Sequence, residues 1–147
     1  MWRIEKSTSL WQDLFDRAMG AIKAVDDCFW RQVSRAKSWH PEAEFIEYEV
    51  KRTKNGKLPS VLPGIGPHVD NASIITLVVM LTPQDSYIGG KSCFEGKKPD
   101  EPRVLSLEQG DAVFFRGERC EHWITDVQAG RRCILQIECC RMKPGRH

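Results

Sequence analysis

The feature that most constrains the fold is a change in the spacing of apolar residues near residue 44. Before it, apolar side chains recur every three or four residues, which predicts one long amphipathic helix over residues 9 to 35. After it, Ile46, Tyr48 and Val50 alternate with charged residues, which is typical of a half-buried strand. A chain that changes period once in this way is expected to place one helix against a β structure.

The rest of the chain is a series of short strand patterns separated by turn-like segments. The longest is a nearly unbroken, β-branched apolar run over residues 72 to 82, which predicts a strand buried on both faces. A turn is predicted at Ala129 and Gly130, before a final strand over residues 132 to 141. Short strands at regular spacing behind one helix predict a mainly β fold, a β-sandwich or a jelly roll, with the long N-terminal helix packed on a sheet.

The length of 147 residues fits one domain, with the helix over about 9 to 35 and a β core over about 44 to 141. A formal net charge of +2 gives no reason to expect nucleic acid or a membrane as a partner. The first residues lack a signal-peptide pattern, and no apolar run approaches the roughly 18 residues of a membrane span. We therefore expect a cytoplasmic location, and the oligomeric state stays open.

Six cysteines would suggest a disulfide framework in a secreted chain, but the expected reducing compartment argues against one. A zinc site built from cysteines is also disfavoured, because no Cys-x-x-Cys pair occurs. Cys133 and Cys139 alternate with polar residues on the final strand pattern. We expect both to pack in the apolar interior.

Two of the four histidines stand where metal ligands are expected. His68 and Asp70 are two residues apart, and side chains at that spacing in an extended segment point to the same side. His122 opens a later strand pattern and would add a third ligand if the two strands are neighbours. Two imidazoles and one carboxylate form the facial triad that suits Fe(II) and leaves positions open. His40, before a proline, is interpreted as a loop residue.

Arg132 follows ten residues after His122 and shares one face of the final strand pattern with Ile134 and Gln136. A guanidinium is costly to bury unless it meets a carboxylate, which its planar fork can bind through two hydrogen bonds. A keto acid with a second carboxylate at its far end would span the metal and Arg132. The compound 2-oxoglutarate has that shape.

In this order, the motifs resemble the iron(II)- and 2-oxoglutarate-dependent dioxygenases, closest to their prolyl 4-hydroxylase-like branch. The resemblance covers residues 44 to 141 and rests on PHVDNASIITLVVMLT, IGGKSCFEG and GDAVFFRGERCEHWITDVQAGRRCILQ. It implies a double-stranded β-helix, the jelly roll of this family. It also implies His68, Asp70 and His122 as iron ligands, and Arg132 as the anchor for the distal carboxylate of 2-oxoglutarate.

The chain departs from the family where a tyrosine commonly hydrogen-bonds the co-substrate, because the matching residue is Met80. Thr76, on the same strand face, or Tyr48, on the preceding strand, is expected to supply a donor in its place. The Gly-x-Arg pattern of the family favours Arg132 over its neighbour Arg131 as the anchor.

The resemblance implies an oxidoreductase that hydroxylates a C–H bond with Fe(II), 2-oxoglutarate and ascorbate as the reductant. The expected substrate is a peptidyl prolyl residue or a small molecule, selected by loops at residues 52 to 67 and 83 to 103 or by a partner chain. An apolar pocket lining is predicted from Val78, Met80, Phe114 and Ile134.

Two other functions compete with this hypothesis. A non-catalytic metal- or ligand-binding module on the same jelly roll gains weight from Met80 in place of the usual tyrosine. A nucleic-acid demethylase of the same superfamily is disfavoured, because the near-neutral charge offers little attraction for a phosphate backbone.

Overall fold

The structure, a computed structural model, describes residues 9 to 142. This part of the chain forms helix α1 (Ser9–Phe29) followed by nine strands. The strands are β1 (Trp39–Glu49), β2 (Ile65–His68), β3 (Ser73–Met80), β4 (Tyr87–Gly89), β5 (Ser92–Phe94), β6 (Arg103–Leu105), β7 (Ala112–Phe115), β8 (His122–Ile124) and β9 (Val127–Arg141). The mainly β architecture with one N-terminal helix is confirmed.

The strands form two antiparallel sheets. The larger sheet has the order β1-β9-β3-β7, with β4 paired to the first residues of β9. The smaller sheet has the order β2-β8-β5-β6. Apolar side chains of both sheets pack against one another, among them Val78, Met80, Phe94, Phe115 and Ile134. Burial of this cluster holds the two layers of the jelly roll together.

Helix α1 packs on the larger sheet through its apolar stripe. Ile22 is buried against the β3 residues Ile75 and Leu77 and the β9 residue Ile137. These β-sheet residues point away from the second sheet, so β3 is buried on both faces, as its unbroken apolar run predicts.

The helix ends at Phe29, and the predicted end near residue 35 is wrong. The buried carboxylate of Asp26 accepts hydrogen bonds from the backbone N–H groups of Gln32 at 2.8 Å and Val33 at 2.9 Å. Arg31 adopts a left-handed conformation, with φ of 52°. Asp26 thereby satisfies backbone donors beyond the helix and turns the chain toward the sheet, although the apolar spacing continues.

Strand β9 starts at Val127, so the turn predicted at Ala129 and Gly130 is wrong. Gly130 has φ of 76° and lies opposite Tyr87 of β4. A Cβ atom at Gly130 would lie only 2.1 Å from the carbonyl oxygen of Ser86. Glycine is therefore required at position 130 because the backbone at Ser86 comes so close to β9. The sequence pattern indicates a chain reversal here, but the strand is continuous.

Strand β1 begins at Trp39 rather than at residue 44 and pairs with β9 along its whole length. This pairing places His40 in a strand, directly opposite Cys140, and corrects its interpretation as a loop residue. Pro41 is tolerated because β1 lies at the edge of the larger sheet.

All six cysteines are free thiols, and Cys133 and Cys139 are buried, as predicted. Within residues 9 to 142, no helix combines the length and apolar character needed to cross a bilayer.

Candidate metal centre

His68, Asp70 and His122 meet because β2 and β8 are neighbours in the smaller sheet. His68 ends β2 and lies directly opposite His122, which opens β8. Asp70 lies in the segment that leads from β2 into β3, where its N–H donates to the carbonyl of Gly117 at 2.9 Å. Strands β2 and β8 are therefore neighbours, which is the condition for His122 to lie beside His68.

The three side chains converge on one oxygen of the carboxylate. Nε2 of His68 lies 3.5 Å from Oδ1 of Asp70, and Nε2 of His122 lies 3.4 Å from the same atom. The two imidazole centroids are 4.3 Å apart. Asp70 and His122 are buried, while His68 is partly exposed. These three residues could hold a metal ion.

Backbone carbonyls orient both imidazoles. Nδ1 of His68 donates to the carbonyl of Gly66 at 2.8 Å, and Nδ1 of His122 donates to that of Cys120 at 3.0 Å. A neutral imidazole that carries its proton on Nδ1 presents a lone pair at Nε2. Both Nε2 atoms are therefore available to bind a metal ion, and a backbone carbonyl at the other ring nitrogen is a usual partner of metal-bound histidines.

Thr76 holds the carboxylate of Asp70 in place. Its hydroxyl donates to Oδ2 of Asp70 at 2.7 Å and accepts from the hydroxyl of Ser73 at 2.8 Å. Since a hydroxyl has a single hydrogen, Thr76 is committed to Asp70 and has no donor for a co-substrate. The structure therefore places the Thr76 hydroxyl on Asp70, and not in the position of a free donor that the sequence leads us to expect.

Electrostatics keep Asp70 ionised. Burial alone would raise the pKa of Asp70, but the hydrogen bond from the protonated form of His122 and the hydrogen bond from Thr76 outweigh it and bring the pKa below its usual value. Burial would lower the pKa of His122, yet the interaction with Asp70 leaves that pKa raised. The carboxylate is thus an anion that attracts positive charge, whether a proton on His122 or a metal ion.

Arg132 is fully buried in the larger sheet, on the same strand face as Ile134. Its Nη2 donates to the hydroxyl of Ser92 at 3.0 Å, whereas Nε and Nη1 find no partner among residues 9 to 142. Burial lowers the pKa of Arg132, and the neighbouring Tyr48 and Tyr87 oppose this effect. A buried guanidinium with two open donors fits an anionic ligand.

Two tyrosines surround this guanidinium. Tyr48, predicted from β1, is the cross-strand partner of Arg132, and its ring centroid lies 5.3 Å from Cζ. Tyr87, on β4, directs its hydroxyl toward Met80, with 3.9 Å between the oxygen and Sδ. A tyrosine hydroxyl therefore lies beside Met80, although another strand contributes it.

Arg131, the alternative anchor, is excluded by its orientation. It is exposed on the opposite face of β9, where its guanidinium binds the carboxylate of Glu47, with 2.8 Å between Nε and Oε2. This separation follows from strand geometry, because adjacent residues point to opposite faces.

A cavity of about 210 Å³ opens beside the two histidines. Val78 and Ile134 line it, as predicted, together with Ile46, Val113 and Phe115. Phe114 does not, because it packs on the helix-facing side of the sheet. On β7 the prediction was wrong by one residue, which is enough to change the face of a strand. Met80 does not line this cavity either, because it borders a separate cavity beside Tyr87 and Gly90.

Sequence reasoning missed Ser92 and Tyr87 as partners of Arg132. Both flank the glycine pair of the segment SYIGGKS. Gly90 lies directly over the arginine, since a Cβ atom there would be 3.0 Å from Cδ of Arg132. Hydroxyl residues on either side of two adjacent glycines were the available signal, but only the fold shows which side chain they serve.

No protein-family model and no curated protein matches the sequence. Solved structures do resemble it. A prolyl 4-hydroxylase of Pseudomonas putida aligns with a TM-score of 0.68 and 14% identity, over 95% of this chain and 70% of that one. A viral collagen prolyl hydroxylase of Paramecium Bursaria Chlorella virus-1 aligns with a TM-score of 0.62 and 14% identity, over 97% and 74%.

An oxidoreductase of the 2OG-Fe(II) oxygenase family from Burkholderia pseudomallei aligns with a TM-score of 0.57 and 15% identity, over 84% of this chain and 52% of that one. The chain thus spans about half the length of this relative and 70% or more of the two hydroxylases. The jelly-roll fold predicted from the sequence is the fold of 2OG-Fe(II) oxygenases, prolyl hydroxylases among them.

Proposed function

We propose that this protein is an Fe(II)- and 2-oxoglutarate-dependent oxygenase that hydroxylates a C–H bond. The observation that carries the proposal is the convergence of two Nε2 lone pairs, from His68 and His122, on Oδ1 of Asp70 within 3.5 Å. Three acceptor atoms so close together are stabilised by a cation. Two nitrogens and one oxygen form the donor set that suits Fe(II).

The second support is the chemistry around Arg132. Its two unpartnered donors, with the hydroxyls of Ser92 and Tyr87 nearby, fit a carboxylate. No aspartate or glutamate of residues 9 to 142 forms an ion pair with this guanidinium. We assign Arg132, Ser92, Tyr48 and Tyr87 to the distal carboxylate of 2-oxoglutarate, and His68, Asp70 and His122 to Fe(II).

When bound, Fe(II) and 2-oxoglutarate supply the oxidising power that activates O₂ for insertion into a C–H bond. The residues of the chain bind, orient and exclude water. Phe94 stacks beside His122 at 6.1 Å between centroids, and Phe115 lies at 4.6 Å from it. These rings shield one side of the metal centre and keep the reaction space apolar.

The substrate is proposed to present a small apolar group, such as the ring of a peptidyl prolyl residue or part of a small molecule. The cavity supports this assignment, because its volume of about 210 Å³ and its lining of Val78, Phe115 and Ile134 suit such a group. Two of the similar structures are prolyl hydroxylases.

The test is succinate formation by the full chain with Fe(II), 2-oxoglutarate, O₂ and ascorbate as the reductant, with and without prolyl peptides. We expect slow turnover alone and faster turnover with a substrate. His122→Ala should lose Fe(II) binding, and Arg132→Met should lose 2-oxoglutarate binding while retaining the metal. Arg131→Met, on the opposite face, is the matched control and should behave as the wild type.

One result would contradict the oxygenase and favour the binding module instead. The protein would bind Fe(II) and 2-oxoglutarate by anaerobic calorimetry, yet form no succinate above a protein-free control. Wild-type turnover in both His122→Ala and Arg132→Met would overturn the assignment of the residues.

A further inference from the structure

A second group of metal-ligating side chains lies on the β1 and β9 ladder, apart from His68, Asp70 and His122. His40 is directly opposite Cys140, and Glu42 is directly opposite Glu138. Residues two apart on a strand, and residues opposite each other across a ladder, project from the same face. The four side chains therefore form one cluster of nitrogen, sulfur and carboxylate donors at the edge of the larger sheet.

The ligand atoms of this cluster are close enough to share one ion. The imidazole, carboxylate and thiol ligand atoms of His40, Glu42 and Cys140 all lie within 4.8 Å of one another. Nε2 of His40 is 2.8 Å from Oε1 of Glu42. The thiol of Cys140 points toward the fourth residue, with 3.6 Å between Sγ and Oε2 of Glu138.

The charge balance of the cluster also favours a cation. Glu42 and Glu138 face each other across the ladder, an arrangement that is destabilising for two like charges. Arg141 lines the same groove, but Glu118 holds its guanidinium through two hydrogen bonds of 2.8 and 3.0 Å. The two carboxylates therefore attract a further cation, because the nearby guanidinium is already held by Glu118.

We propose that His40, Glu42 and Cys140, with Glu138 beside them, form a second divalent metal site, which takes Zn²⁺ or a similar borderline-soft ion. Nitrogen, sulfur and carboxylate donors within one sphere are the set that Zn²⁺ prefers. The site uses a single cysteine, so no Cys-x-x-Cys spacing marks it in the sequence. Binding replaces the proton of the Cys140 thiol, which is released to solvent. The inference does not depend on the proposed oxygenase activity.

The thiol of Cys140 allows Co²⁺ binding at this site to be distinguished spectroscopically from binding at the triad. Co²⁺ bound to a thiolate gives an intense charge-transfer absorption in the near ultraviolet, whereas the triad of His68, Asp70 and His122 contains no sulfur. We expect this band when Co²⁺ is titrated into the full chain under reducing, anaerobic conditions. His68→Ala should keep the band, and Cys140→Ser should lose it. Cys28→Ser, which changes an exposed thiol on α1, is the matched control and should keep it.

Two exposed ligands provide variants that should fold normally. His40→Ala and Glu42→Gln are each expected to weaken Zn²⁺ binding by at least about tenfold in a competition titration with a chelating dye, while circular dichroism stays unchanged. Zn²⁺ should also protect Cys140 from alkylation, as measured by peptide mass mapping. The absence of a sulfur band, or a band that survives Cys140→Ser, would overturn the site.

Discussion

The hydroxyl of Thr76 donates a hydrogen bond of 2.7 Å to Oδ2 of Asp70, and this bond leaves the other carboxylate oxygen facing both histidines. Thr76 is fully buried on β3, and Ser73, the first residue of the same strand, donates to it. The buried strand β3 therefore determines the orientation of the carboxylate between the two imidazoles.

Replacing Thr76 with valine keeps the shape of the side chain but removes this hydrogen bond. We expect Thr76→Val to weaken Mn²⁺ or Fe(II) binding by about 10- to 100-fold, because the carboxylate loses its orienting partner. The free energy of unfolding should fall by about 1 to 3 kcal/mol, since Ser73 also loses its acceptor. Calorimetric metal titration and urea unfolding measure the two effects. Thr76→Ser keeps a hydroxyl and should retain most of the metal affinity. If Thr76→Val bound the metal as tightly as the wild type, the orienting role of Thr76 would be contradicted.

Tyr87 is expected to contribute to 2-oxoglutarate affinity without affecting the metal. Tyr87→Phe removes a hydroxyl close to Arg132 and Met80, and should weaken 2-oxoglutarate binding by about 5- to 10-fold, the cost of one lost hydrogen bond. Anaerobic calorimetry on the Mn²⁺-loaded protein measures this binding without turnover. Met80→Leu conserves volume and should leave the affinity near that of the wild type. If Tyr87→Phe bound 2-oxoglutarate as tightly as the wild type, Tyr87 would not belong to the binding site.

Gly90 should tolerate no side chain. Its φ is +59°, and a Cβ atom would lie 2.9 Å from Cγ2 of Val127 and 3.0 Å from Cδ of Arg132, both of which are fully buried. We expect Gly90→Ala to lower the free energy of unfolding by about 1 to 3 kcal/mol through strain and overpacking. Gly20 is the control, because its Cβ position in α1 is open. Gly20→Ala should raise stability by about 0.5 to 1 kcal/mol, and thermal unfolding compares the two. Equal melting temperatures for Gly90→Ala and Gly20→Ala would argue against the close approach of Gly90 to Val127 and Arg132.

Glu118 should make stability depend on pH in the acidic range. The hydrogen bond from Arg141 lowers the pKa of Glu118 below the usual 4.5 or so. A carboxyl with a lower pKa in the folded than in the unfolded state stabilises the fold above its unfolded pKa, and this contribution disappears as the pH falls through the folded pKa. Because the ion pair is partly exposed, Glu118→Gln should cost less than about 1 kcal/mol at pH 7.

The difference between wild type and Glu118→Gln should shrink toward zero as the pH is lowered from 4.5 through the folded pKa, as measured by urea unfolding at a series of pH values. Glu101→Gln breaks a more exposed ion pair with Lys98 and serves as the comparison, with little effect at any pH. A difference for Glu118→Gln that grows at low pH would contradict this sign.

Local patterns were sufficient to single out the candidate metal ligands and the overall class of fold. His68 and Asp70 are two residues apart in an extended segment, so their common direction follows from strand geometry alone. The helix could likewise be predicted from its apolar spacing, although its end could not, because Asp26 reaches backbone groups beyond Phe29.

The sequence by itself determined the periods of its elements, the burial of β3 and the residue types available for a metal and a carboxylate. Tertiary structure alone decided which side chains meet: Tyr87 beside Arg132, Thr76 behind Asp70, His40 opposite Cys140. The physical reason is that a period is a property of neighbouring residues, whereas register depends on the pairing of whole strands. Phe114 shows the consequence, since a shift of one residue reverses the face that a strand presents.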